Sequence, residues 1–434
     1  MKLPFISFFP ALSCTVLAGL FVAACDDHRI PAINYPAFAE ASNPNVLATS
    51  PNGTVIYNGG FGSAIAADPT DANVFYLLTD RGPNAAGSAA NSIIFGKADF
   101  TPQIGKFRLV GTQLVLEQTI LLKNTAGQLL TGLPNPSGQG STGETALDLN
   151  GQLLTPDPNG LDSEGLVRAA DGSFWISDEY GPHIVHVDAT GKTLERINPF
   201  GTGTGGRTLP KVLARRRPNR GMEGLTITPD GKTLVGLMQS PMYNPSSAAV
   251  SGSTVLRVVT FDIATSASRQ YVYLMENASL TGCSEIAAIT ATSFLALERD
   301  GDYGGNPAKP AQFKRVYKFD LAGATDISDP ANADAGKLYS GLTVEQLKDK
   351  AGLQNAGVVP VTKTLILDLL TQISPVYPHD KAEGIALIGN NRLAISNDDD
   401  FGVVDNGQNG FTSKILPTTG TVDRNRIYFV TLPK

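Results

Sequence analysis

DSEGLVRAADGSFWISDEYGP, residues 162–182, holds two short apolar runs around an Asp-Gly pair, with carboxylates at both outer ends. Asp-Gly between apolar runs is a β-hairpin signal. The same plan recurs four times: at 59–83 (GGFGSAIAADPTDANVFYLLTDRGP), 222–241 (MEGLTITPDGKTLVGLMQSP), 284–302 (SEIAAITATSFLALERDGD) and 382–402 (AEGIALIGNNRLAISNDDDFG). Each copy has a small or acidic start, a strand, a turn, a second strand and a polar ending. A further β-rich unit follows each hairpin, as in HIVHVDATGKTLERINP and KRVYKFDLAGAT. Two strands plus two strands per repeat is the make-up of a propeller blade. The fold class is therefore all-β, a β-propeller of five or six blades. Repeats start about 60 residues apart at Glu164, Glu223 and Glu285, and wider spacing on either side marks insertions at 124–160 and 324–360. The second insertion has room for a short helix at TVEQLKDKAG.

Composition agrees with this reading. The 434 residues include 45 glycines and 28 prolines, with only 17% charged residues, which suits a turn-rich β protein. A formal charge of −6 without a basic arm argues against nucleic-acid binding. Residues 1–24 carry one charge, Lys2, before an apolar run ending in small residues, and read as an export signal. The ending VAAC resembles a lipobox and makes Cys25 the lipidated residue. Residues 25–50, rich in Pro, Asn and Ser, read as a flexible tether, and 51–434 as the propeller domain. The expected location is the bacterial cell envelope, anchored by lipid and facing the periplasm or exterior. With Cys14 removed and Cys25 lipidated, Cys283 has no intrachain disulfide partner.

A two-residue turn at Asp171-Gly172 would put Glu164 across from Glu179. Equivalent turns would put Glu285 across from Glu298, Glu383 across from Asp398, and Glu223 across from Met238. In the first copy Gly62 falls near Asp80, so one acid is missing. Like charges facing across a ladder destabilise a sheet, yet the arrangement repeats. First strands of propeller blades line the central channel, so these acids are expected to converge at its mouth around a cation. Oxygen donors without Cys or clustered His suit Ca²⁺ or Mg²⁺. The expected ligands are Glu164, Asp178, Glu179, Glu285, Glu298, Glu383 and Asp398. Alternatively, such acids bond backbone N–H groups of neighbouring blades.

Arg299 and Arg220 accompany the acids and are expected to hold phosphate oxygens. Glu298, next to Arg299, and His379, shortly before Glu383, complete the expected catalytic set. Arg215–Arg217 read as a solvated loop and Trp175 as core. His183 and His186 fall on opposite strand faces, which disfavours joint metal ligation. GTGTGG at 201–206 lacks the flanking strand and helix of a dinucleotide site. There is no Gly-x-Ser-x-Gly elbow.

DSEGLVRAADGSFWISDEYGPHIVHVDATGK, EGLTITPDGKTLVGLMQS, LERD…FKRVYKFDL and AEGIALIGNNRLAISND together resemble the bacterial phytase-like family, described by esterase-like activity of phytase. The resemblance runs over about residues 55–432. It implies an exported β-propeller that hydrolyses phosphate or other esters and carries over no catalytic residue. The expected function is a Ca²⁺-dependent phosphoesterase, a monomer acting on a small phosphorylated ester. Two alternatives remain: a metal-dependent lactonase or carboxylesterase, and a non-catalytic propeller presenting 124–160 and 324–360 to a protein or glycan partner.

Overall fold

The computed structural model describes residues 1, 34–42, 44–280, 282–373, 376–389 and 391–433. The export signal and Cys25 lie outside them. Tyr35–Lys434 forms one compact unit. Among the described residues, no helix is long and apolar enough to cross a membrane.

Strand β1 is Phe38–Ala41. The first sheet contains β2 (Phe61–Ala67), β3 (Val74–Thr79), β4 (Gln103–Val110) and β5 (Gln113–Leu121). The second contains β6 (Ser163–Arg168), β7 (Phe174–Asp178), β8 (Ile184–Val187) and β9 (Thr193–Ile197). The third contains β10 (Met222–Ile227), β11 (Thr233–Met238), β12 (Val255–Asp262) and β13 (Ser268–Leu274). The fourth contains β14 (Gly282–Ala288), β15 (Ser293–Arg299), β16 (Lys314–Asp320) and β17 (Thr362–Asp368). The fifth adds β18 (Ala382–Ile388), β19 (Arg392–Asn397) and β20 (Arg426–Thr431), and takes β1 as its outer strand.

The inner strands neighbour one another in the closed order β2, β6, β10, β14, β18 and back to β2. The molecule is a β-propeller. Each interval between sheets is filled by its own apolar cluster. Leu166, Phe174 and Ile176 meet Ala64, Val74 and Leu78, whereas Val167, Trp175 and Ile184 meet Leu225, Leu234 and Phe261. Period-2 alternation sends successive side chains of one sheet toward its two neighbours, so the inner strands read as apolar throughout. Trp175 is core, stacked on His186.

One expectation needs correcting. The tether assigned to 25–50 becomes ordered strand from Phe38. Ala39 is buried, and β1 pairs antiparallel with β20 and parallel with β5. The strand is only four residues long and flanked by prolines, and its antiparallel partner lies almost 400 residues away. Within the 124–160 insertion, Thr145–Leu147 pairs with Ser92–Phe95 in a small separate sheet. In 324–360 a 3-10 turn (Val344–Leu347) precedes the short helix Lys350–Asn355, close to where one was expected. Glu345 of that segment is buried against Arg257, 2.6 Å away, and ties it to the third sheet.

Candidate functional site

Hairpin register decides which acids meet, and it departs from the expected one twice. Val167 pairs with Trp175 and Arg168 with Phe174. The loop is therefore three residues, Ala170-Asp171-Gly172, with Gly172 at φ +93° where a left-handed residue is needed. Nearer the strand start the register shifts again between Ser163 and Leu166. Equivalent irregularities fall at Phe61/Ala64, Met222/Gly224, Cys283/Glu285 and Ala382/Ile385. A bulge re-aims the side chain it carries, and here it recurs at Glu164, Glu223 and Glu383, with Gly62 and Ser284 at the equivalent positions of the other two inner strands. As a result Glu179 lies across from Asp162, its N–H donating to the Asp162 carbonyl at 2.9 Å. Cys283, not Glu285, faces Glu298, and Ala382 faces Asn397.

The glycine after three of these acids lets the inner strands close. A Cβ on Gly165 would lie 2.6 Å from Leu225 N, one on Gly224 2.9 Å from Ile286 N, and one on Gly384 2.8 Å from Ile65 N. Glu-Gly is thus a channel-head dipeptide: the glycine permits the approach, and the glutamate projects past it.

These acids surround a cavity of about 400 Å³. Single oxygens of Asp162, Glu164 and Glu179 lie within 4.8 Å of one another, as do those of Glu164, Glu223 and Glu383. Glu164 belongs to both sets. All five side chains are buried. Burial first, and then Glu223, Asp162 and Glu383, hold the Glu164 carboxyl well above its usual range. Burial, Glu223 and Asp162 do the same to Glu179. Glu223 is pushed up to about 8 by burial and by Glu383. Its Oε2 has no hydrogen-bond partner among the described residues. Crowded buried carboxylates either keep protons or share a cation. An all-oxygen set with an unpartnered lone pair fits a hard divalent cation.

Among the expected residues, the cavity brings together Glu164, Glu179, Glu383, Arg220 and Arg299. Arg299 pairs with Glu383 and donates to Ser284 Oγ at 2.8 Å. The others are elsewhere. Glu298 precedes Arg299 on one strand, so alternation turns it away from the cavity. It bonds Tyr273 Oη and Lys363 Nζ, each at 2.6 Å. Asp178, next to Glu179, turns away likewise and accepts from the N–H groups of Asp162 (2.8 Å) and Gly181 (2.9 Å). Glu285 accepts from Leu225 N at 2.9 Å and Ile286 N at 3.0 Å. That is the blade-to-blade backbone role weighed as the alternative. Asp398 is held by Lys381 Nζ at 2.9 Å behind the cavity wall. His379 is fully buried and does not line the cavity. Its ring nitrogens are taken by Asp423 (2.7 Å) and Tyr428 (2.9 Å).

Sequence reasoning placed Asp80 at the first repeat without making it a site residue, assigned Glu223 only to a facing methionine, and missed Asp162, Lys381 and Asp400 as lining residues; Arg81, which follows Asp80, also lines the cavity. Asp162 and Lys381 share a signal, each standing two positions before a channel-head Glu-Gly. Burial and then Asp162 push Asp80 up to about 7. Arg216, read as solvated, is buried and donates to the carbonyls of Tyr180 (2.6 Å), Gly140 (2.8 Å) and Ser141 (2.9 Å). It pins the 124–160 insertion beside the site.

A family model described as "Phytase-like: Esterase-like activity of phytase" matches residues 56–401. An uncharacterized secreted protein of Arthroderma benhamiae is 28% identical over 343 residues, 64% of this chain and 66% of its own length. The chain thus spans slightly under two thirds of that relative. Among solved structures, a putative 6-phosphogluconolactonase of Bacteroides uniformis is 13% identical at a TM-score of 0.31, covering 88% of this chain and 91% of its own. The PQQ-bound aldose sugar dehydrogenase of Streptomyces coelicolor is 11% identical at a TM-score of 0.32, covering 92% and 99%. Likeness at that level carries no function across.

Proposed function

Because the chain belongs to the phytase-like family, described by its esterase-like activity of phytase, we propose that it is a hydrolase of phosphate esters that works with Ca²⁺ in the channel-head cavity. The observation that carries this reading is the pair of three-carboxylate sets sharing Glu164. Asp162, Glu164 and Glu179 would hold one cation, and Glu164, Glu223 and Glu383 a second. A bound divalent cation acidifies water and offsets charge developing on phosphoryl oxygens. The remaining chemistry belongs to side chains of this chain. Arg220 and Arg299 line the same cavity and supply positive charge toward an anionic ester. Asp80 stands outside both carboxylate sets, and with its carboxyl near 7 it can carry a proton at neutral pH for the departing oxygen. Small-molecule esters fit a cavity of about 400 Å³. Export is part of the same reading: the Arthroderma relative is a secreted protein, and the lipobox at Cys25 would anchor this chain outside the cytoplasm.

The test is phosphate release from p-nitrophenyl phosphate and phytate by the purified full chain, with Ca²⁺ and after chelation. Release that stops on chelation and returns with Ca²⁺ is the expected result. Release that chelation leaves unchanged overturns the cation assignment. No release from either ester, when p-nitrophenyl acetate is hydrolysed, makes the protein a carboxylesterase instead.

A further inference from the structure

Four cationic side chains line the cavity: Arg81, Arg220, Arg299 and Lys381. Arg81 spends its guanidinium on Glu144 (3.0 Å), Asn84 (3.2 Å), Asn219 (3.3 Å) and Tyr180 (3.4 Å). Arg299 is committed to Glu383 and Ser284. Arg220 lies in the field of Glu179 and Glu223. Lys381 differs. Its ammonium donates to Asp398 Oδ2 at 2.9 Å and Asp400 Oδ1 at 2.6 Å, and its side chain stays 30% exposed on the cavity wall. An ammonium has three donors, and these bonds use two.

The support behind Lys381 is unusually determined. Asp400 Oδ2 is held by fully buried Lys414 at 2.7 Å. Lys414 also bonds Asp380 at 2.8 Å and the Asp398 carbonyl at 3.1 Å. Asp400 and Phe401 both lie in the left-handed region, at φ +48° and +61°. Such residues persist only where their surroundings over-determine them, and they cluster at ligand clamps. Here Phe401 is buried edge-on to Phe100, and Asp399 accepts from Gly60 N at 2.7 Å and Phe401 N at 3.1 Å.

We propose that Lys381, clamped between Asp398 and Asp400, is the residue by which the cavity selects an anionic substrate, its remaining N–H donating to an oxygen of the phosphoryl group. The proposal deepens the hydrolase reading and rests on it for the identity of the substrate. Its test does not. Binding of inorganic phosphate to the Ca²⁺-loaded full chain is measured by calorimetry for wild type, Lys381→Gln and Lys381→Arg. Glutamine keeps a donor toward the two aspartates and removes the charge. The expected result is at least about tenfold weaker phosphate binding for Lys381→Gln, the loss expected for a charge-assisted bond, with recovery in Lys381→Arg. For turnover, Lys381→Gln should raise KM for p-nitrophenyl phosphate, and Lys381→Arg should restore it. Should Lys381→Gln fold poorly, reductive methylation of wild type gives the answer: phosphate must protect Lys381 from the reagent. Equal phosphate affinity in wild type and Lys381→Gln, no phosphate binding to wild type, or unprotected Lys381 each overturns the proposal. Phosphate binding that depends on Lys381 in a protein without turnover would leave the proposal standing and remove the hydrolase reading.

Discussion

Burying an acid without a matching positive charge leaves a signature in the pH dependence of stability. Burial raises Asp178 to about 6, Asp80 to about 7 and Glu223 to about 8, all from ordinary values near 4. Between pH 4 and 8 the folded chain therefore holds protons that the unfolded chain has released. Linkage then makes stability fall as pH rises through that window, with the contribution fully present only below pH 4. In chelator, the melting temperature should drop from pH 5 to pH 8. Added Ca²⁺ should raise it more at pH 8 than at pH 5, because ligation needs ionised carboxylates. A melting temperature that climbs from pH 5 to pH 8 in chelator would contradict this account of the cavity. Acids that line the cavity and acids that face away from it also separate by mutation. Glu164→Gln removes a ligand shared by both sets and should weaken Ca²⁺ binding about 100-fold, at the upper end of what ligand-shell changes cost. Glu298→Gln should leave Ca²⁺ affinity unchanged and cost about 2 kcal/mol of stability through the weakened bond to Lys363. Calcium titration and chemical denaturation of both variants distinguish the two roles.

Strands show where reading a sequence succeeds and where it stops. The hairpins were legible because turn residues and apolar runs are local signals, and the order of repeats followed from them. Register was not legible. The three-residue loop at Ala170–Gly172 and the bulge at Glu164 each move the pairing by about one residue, and neither leaves a distinct residue pattern in its own strand. The acids still converged, because the Glu-Gly start places them wherever the ladder runs. Glu298 and Asp178 were misassigned for a simpler reason: a strand cannot send two adjacent side chains to one side. Channel-head glycines carry a prediction of their own. Gly224→Ala would put a methyl 2.9 Å from the backbone of the neighbouring inner strand and should cost about 3 kcal/mol, the upper range for overpacking. Gly231→Ala faces open space at φ +71° and should cost only about 1 kcal/mol. Equal losses in denaturant titrations would show that inner-strand spacing is not what the Glu-Gly pair protects.

At the scale of the molecule, closure depends on β1. Ala41 N donates to Asn425 O at 2.9 Å, Phe429 N to Ala37 O at 3.1 Å and Glu40 N to Thr112 O at 3.1 Å. Glu40 also holds Arg426 at 2.7 Å. A chain beginning at Tyr35 should melt as the full chain does. One beginning at Ser42 should lose at least about 3 kcal/mol, near 1 kcal/mol for each of those three hydrogen bonds, and expose the β20 edge to aggregation. Matching melting curves for the two truncations would remove β1 from any role in stability. The clasp also sets an order in time. The ribosome makes Glu40 among the first residues of the compact unit and Arg426 among the last, 386 positions later. Throughout synthesis β1 has no antiparallel partner, and the fifth sheet cannot be finished until the final strand emerges. The ring therefore seals only after the last strand has been made, whatever the order in which the other sheets form.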